Sequence, residues 1–198
     1  RGTTPRPPRD PPMNVALGSA ALLFGLGASV LGAGTLAVGL VKGRPRLLLL
    51  GRSYALLAFV GALAAFVVME RALITRDFTV AYVAENGSTK TPALFNFATL
   101  WAALEGSILL WALILTGYLM AMMRKFRHRQ TDPLVGWANL TMLVVCIFFF
   151  GLMVTVARPF VPFDPTPGFD GPGPNPLLQN HILMAFHPPM LYLGYVGF

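Results

Sequence analysis

The chain has 198 residues, of which 55% are hydrophobic and only 12% charged, with a formal charge of +7. Soluble domains carry about a quarter charged residues, so an ordinary soluble domain is excluded and the long apolar runs point to an integral membrane protein. The basic balance does not imply a nucleic-acid partner, because Lys and Arg sit in short clusters between apolar spans, as the positive-inside rule produces.

The chain opens with Arg1 and a Pro- and Arg-rich stretch to Pro12, which is expected to carry no fold, with Met13 as a natural start. Residues 13–198 are expected to form one all-α transmembrane bundle of about five spans. Asn14 to Val41 is the first. Its small residues, Gly25, Gly27, Gly32 and Gly34 among them, let membrane helices approach closely. A basic loop with Lys42, Arg44, Arg46 and Arg52 leads to the second span, Ser53 to Met69. Glu70 to Leu94 reads as a polar outer stretch. Within it, Phe78 to Ala84 alternates weakly with period two and Asn86-Gly87 signals a turn, so a strand or extended segment is expected.

Phe95 to Met123 is the third span. At the helical rise it covers roughly 43 Å against a hydrocarbon core of about 30 Å, so its first turns are expected outside the core or along the interface. It holds "LWAALEGSILLW", Leu100 to Trp111, in which Glu105 is the only carboxylate of the span. A charge inside a bilayer costs about 3 kcal/mol, so Glu105 either has a polar partner or lies at headgroup depth in a Trp belt. On a continuous helix Trp101 and Glu105 share a face, and Ser107 and Trp111 share another.

A second basic loop, with Arg124, Lys125, Arg127 and Arg129, precedes the fourth span, Val135 to Val156. That span contains Cys146, the only cysteine, so the chain can form no internal disulfide and has no Cys-x-x-Cys. Residues 158–180 are dense in Pro and Gly and read as extended. The fifth span covers residues 182–198 and is cut off by the chain end. With both basic loops cytoplasmic, the N-terminus and the 70–94 and 158–180 loops lie on the outer face.

His187 is the one residue of the fifth span that can carry a charge near neutral pH, and Pro188 and Pro189 follow it. Two prolines fit the first turn of a helix, where missing amides cost little. His187 then reads either as a helix-entry residue bonded to a loop carbonyl or as an axial ligand to haem iron, with Phe186, Met190, Tyr192 and Tyr195 as pocket walls or ordinary interface aromatics. His181, six residues earlier, is about 600° away on a helix and is expected on another face, solvated. His128 lies in a basic loop.

Four blocks in this order resemble one family: Asp77-Phe78-Thr79-Val80-Ala81-Tyr82-Val83-Ala84; Trp101-x3-Glu105-Gly106-Ser107-x2-Leu110-Trp111; Asn175-Pro176-Leu177-Leu178-Gln179; and His187-Pro188-Pro189-Met190-Leu191-Tyr192-x-Gly194-Tyr195-Val196-Gly197-Phe198. They are similar to the N-terminal part of CcmF/NrfE-type haem lyase subunits of the cytochrome c assembly superfamily. The resemblance implies a multi-pass protein of the bacterial inner membrane that helps attach haem to apocytochrome c outside the cytoplasm. The implied partners are the haem chaperone CcmE, a CcmH-type subunit that presents apocytochrome c, and a quinol. By resemblance His187 is a ligand of a membrane haem b, with Trp101, Glu105, Gly106, Ser107, Trp111, Pro188, Pro189 and Tyr192 as motif residues around it. Such a haem would relay an electron toward the delivered haem. Ala102 and Leu104 stand where the family often has Gly and His. The family's Trp-rich WWD segment and the second ligand of the membrane haem are not in this sequence, so the segment alone is expected to hold half of one haem site. The alternative from the residues is an ion- or proton-coupled transporter segment using Glu105 and His187.

Overall fold

The structure, a computed structural model, describes residues 12–175 and 181–198. Apart from Pro12, the N-terminal tail lies outside the described residues, as do Pro176 to Gln179 of the third family block. Seven α-helices form among the described residues: α1 (Met13–Val41), α2 (Pro45–Ile74), α3 (Ala81–Asn86), α4 (Ala93–Ala98), α5 (Leu104–Lys125), α6 (Pro133–Leu152) and α7 (Ile182–Gly197). Four of them, α1, α2, α5 and α6 with its extension to Ala157, are long and apolar enough to cross a membrane. The protein is a polytopic helical bundle.

Helices α1 and α2 form an antiparallel hairpin closed by a three-residue turn in which Gly43 takes a left-handed φ of 59°. The two backbones nearly touch, since a side chain at Gly61 would place its Cβ 2.7 Å from the Cα of Gly25. Lipid offers no hydrophobic drive between helices, so this close approach is the source of their cohesion. Along α2 the buried residues Ala55, Ala58, Ala62, Ala65, Met69 and Ala72 recur at three- and four-residue steps, the stripe of one helix face. Helix α6 packs on α1, while α5 lies against α2, α6 and α7. Phe150 of α6 is fully buried against Gly25. Leu23, Phe24, Leu31, Val60, Val67 and Phe148 face outward, as lipid-exposed positions do.

The two basic clusters fall at one end of the bundle, because Gly136 at the start of α6 lies against Leu40 and Leu48 beside the α1–α2 turn. The opposite end is a cap built from residues 75–103 and 158–175. There Asn14 donates to the Asp77 carboxylate at 2.6 Å and accepts from Arg71 at 2.7 Å, tying α1, α2 and the loop together. Phe169 packs edge-on to Phe78. Asp170 accepts from the amide and hydroxyl of Thr89 at 2.8 and 2.7 Å. The Thr89 amide above all holds the exposed Asp170 carboxyl below the usual carboxylate range. This clasp is therefore present at neutral pH and lost as pH falls through that lowered value. Acidification through that lowered value, below the usual carboxylate value of about 3.9, or Asp170→Ala at neutral pH, should reduce hydrogen-exchange protection of the Thr89 amide once the intrinsic pH dependence is corrected for. Protection that persists in both cases would place the hold elsewhere.

Four expectations from the sequence are corrected. Helix α2 starts at Pro45, not Ser53, and runs to Ile74, so Arg46 and Arg52 lie within it. Pro45 suits the first helical turn, Leu47 to Leu50 continue the apolar run, and arginine stems can snorkel to the surface. Of the segment expected as a strand or extended, Phe78 to Ala84, the part from Ala81 onward belongs to the short helix α3, and Val80 before it is extended and makes one bridge, to Pro162. The third span is not continuous from Phe95. Helix α4 and a 3₁₀ turn (Thr99–Trp101) precede a break at Ala102 and Ala103, and the long helix starts at Leu104. Pro188 and Pro189 lie inside α7 rather than in its first turn, because His181 caps a helix that begins at Ile182.

Candidate functional site: a histidine pocket at the capped end

The break before α5 shapes everything around it. Tyr82 of α3 is 3% exposed, and its hydroxyl lies 2.8 Å from both the Thr99 and Leu100 carbonyls. The Ala103 amide bonds back to the same hydroxyl. Burial pushes the Tyr82 phenol well above its usual range, so it remains a donor. These bonds satisfy backbone groups that a continuous helix would have paired internally. Gly106 lets the broken turn close, because a Cβ there would fall 1.7 Å from the Leu100 carbonyl oxygen.

The break separates residues that a continuous helix would align. Trp101 faces a pocket of about 400 Å³ lined by Trp101, Ala102, His181, Leu183, Met184, His187 and Pro188. Glu105 instead lines a smaller pocket, about 160 Å³, with Tyr82, Glu85, Arg158 and Val161. Glu105 is the second residue of α5, half-buried at a helix N-terminus, where the helix dipole favours a carboxylate. It is thus not embedded in mid-span, and it shares neither a face with Trp101 nor a pocket with His187. That removes the common path on which a transporter reading rests.

Ser107 and Trp111 both meet α7 through Tyr192. The Tyr192 hydroxyl is 3.2 Å from that of Ser107, and its ring centroid is 5.7 Å from that of Trp111. Trp111 stacks in turn on Phe149 of α6 at 5.4 Å. These contacts seat α7 against the bundle.

His187 is exposed toward the larger pocket, and its imidazole has no hydrogen-bond partner among the described residues. His181 lines the same pocket, contrary to the expectation from helical rotation. It is the N-cap of α7, with extended backbone (φ −101°, ψ 126°), so the helical angle does not apply to it. Its Nδ1 accepts from the Leu183 amide at 3.3 Å. Among the described residues no three His, Cys, Asp or Glu side chains gather as a metal site.

Sequence reasoning missed Glu70. It lies in α2, 6% exposed, and neither carboxylate oxygen has a hydrogen-bond partner among the described residues. The available signal was Ala72-Leu73-Ile74, which continue the helical stripe past the charged pair Glu70-Arg71. An unmet buried polar group costs about 1–3 kcal/mol. Glu70→Met should therefore raise the thermal midpoint in detergent by that amount of stability. An unchanged or lower midpoint would reveal a partner for the carboxyl.

The sequence profile described as "Cytochrome C assembly protein" matches residues 101–198, the part of the chain that carries the histidine pocket and α7. A solved structure of the cytochrome c heme lyase CcmF superimposes on all of this chain with a TM-score of 0.76 at 36% identity, over 30% of its own length. The fold and these matches define a cytochrome c assembly protein. Within that family the chain belongs to the CcmF/NrfE type. It is 36% identical over 182 residues to the cytochrome c-type biogenesis protein CcmF of Escherichia coli K12, covering 92% of this chain and 28% of that one. It is 40% identical over 140 residues to CcmF of Pseudomonas fluorescens (71% and 21%). With NrfE of Haemophilus influenzae it shares 37% over 123 residues (62% and 19%). The chain thus spans between about a fifth and little more than a quarter of the length of these relatives.

Proposed function

We propose that this chain serves cytochrome c biogenesis as part of a haem lyase, and that His187 is an axial ligand to non-covalently held haem b. The observation that carries the ligand assignment is the His187 imidazole, without a hydrogen-bond partner among the described residues, facing a mostly apolar pocket. Neutral imidazole is the usual nitrogen ligand of haem iron. The residues fit such a group: Leu183, Met184, Pro188 and Trp101 offer apolar and aromatic walls beside the imidazole. Bound haem supplies the iron porphyrin whose reduced state thioether formation requires. His187 lies five residues beyond Ile182, about 7.5 Å along the helix, so a group held by it would sit toward the capped end of the bundle.

The protein spans the bacterial cytoplasmic membrane with its basic end in the cytoplasm, which puts the cap and the pocket on the outer face. Apocytochrome c, a haem chaperone of the CcmE kind, a CcmH-type presenting subunit and a quinol are the partners this reading requires. The test is a reduced-minus-oxidised optical spectrum of the full-length protein in detergent. A b-type signal in the wild type, lost or shifted in His187→Ala, is expected. A spectrum indifferent to the substitution would leave His187 an exposed residue of α7 with no part in holding haem.

A further inference from the structure

Two adjacent prolines inside a helix leave a defined gap. The carbonyl of Met184 should accept from the amide of residue 188, or from residue 189 if the turn widens. Both are proline and have no amide hydrogen, so Met184 lacks either donor. Met184 is buried, which makes water a poor substitute. Its carbonyl is met instead from another element, by the indole N–H of Trp101 at 2.7 Å. Trp101 is itself buried, and Phe97 packs edge-on to its ring at 5.3 Å.

His187 stands directly before these prolines. A residue in that position is pushed away from helical backbone toward extended conformation. It is nonetheless helical, within the turn that the Trp101 bond closes from outside. We propose that Trp101 is a positioning residue for His187: its indole N–H replaces the helix bond that Pro188 cannot make, and so fixes the direction in which the imidazole leaves α7. The positioning role rests on the reading of His187 as an iron ligand. It also explains why the 3₁₀ turn carrying Trp101 sits beside the pocket. Only after the break at Ala102 and Ala103 does the chain enter α5, so Trp101 is free to point at α7 while Glu105 faces elsewhere.

The experiment uses the full-length protein in detergent with its bound haem. Trp101→Phe keeps an aromatic ring and removes the donor. Adding Pro188→Ala returns an amide to the helix and makes the indole dispensable. The readouts are the reduced haem bands, the rate of haem loss to a scavenging apoprotein, and the thermal midpoint. Trp101→Phe should speed haem loss about five-fold, the worth of roughly one net hydrogen bond, and shift the bands. The double variant should recover toward wild type in both. Were Trp101 merely structural, Trp101→Phe would lower the midpoint and leave the bands unmoved. Wild-type bands and haem retention in Trp101→Phe, beside their loss in His187→Ala, would overturn the positioning role, and so would failure of Pro188→Ala to rescue. Should His187→Ala leave the haem unchanged, the ligand reading fails and the positioning role falls with it. The coupling of Trp101 to Pro188 is then read separately from the midpoints, where additive losses would sink it too.

Discussion

Gly106→Ala should destabilise the protein by about 3 kcal/mol, at the upper end for an overpacked site. The added Cβ would lie 1.7 Å from the Leu100 oxygen, 2.8 Å from the Leu100 carbonyl carbon and 2.6 Å from the Tyr82 hydroxyl. Two of the three are backbone atoms, and Tyr82 is held by its bonds to the Thr99 and Leu100 carbonyls, so no flexible side chain can yield. Relief requires the turn before α5 to open, which would separate Tyr82 from the carbonyls it satisfies. Gly117→Ala on the same helix is the control. Nothing lies within 4 Å of its Cβ position, so it should be neutral or stabilising by up to about 1 kcal/mol. Thermal midpoints of the two variants, measured side by side in detergent, decide the matter. Equal midpoints would mean that the break does not depend on the close approach at Gly106.

His187→Ala and His181→Ala should separate cleanly, although both histidines line one pocket. The first should remove or shift the haem signal of the full-length protein. The second should leave the signal in place and lose about 0.5–1 kcal/mol of stability, since His181 acts as a cap whose Nδ1 accepts the Leu183 amide. The long 3.3 Å contact places the effect at the low end of that range. The reverse outcome, with the signal surviving His187→Ala and vanishing in His181→Ala, would move the ligand role to the other ring of the pocket.

Much of this organisation is legible in the amino-acid order because its causes are local. Apolar runs and small residues mark α1, the body of α5 and α6, and the positions of Lys and Arg separate one end of the bundle from the other. The motif blocks around Trp101 and His187 identify the family before any fold is seen. What the order of residues does not reveal depends on bonds between distant segments. The apolar run through Phe95 to Met123 reads as one helix, yet Tyr82, lying before the run, takes the carbonyls of Thr99 and Leu100 and divides it. Glu70 reads as a loop residue until α2 is seen to continue around it with no partner for its carboxyl among the described residues. His181 and His187 read as opposed until the first is found to be a cap outside the helical rotation. The pair Pro188-Pro189 reads as a helix start, and it lies inside α7 with the indole of a residue more than eighty positions away supplying the missing donor. Hydropathy and periodicity record how a segment meets its solvent, and they carry no information about which remote group completes a broken hydrogen-bond ladder.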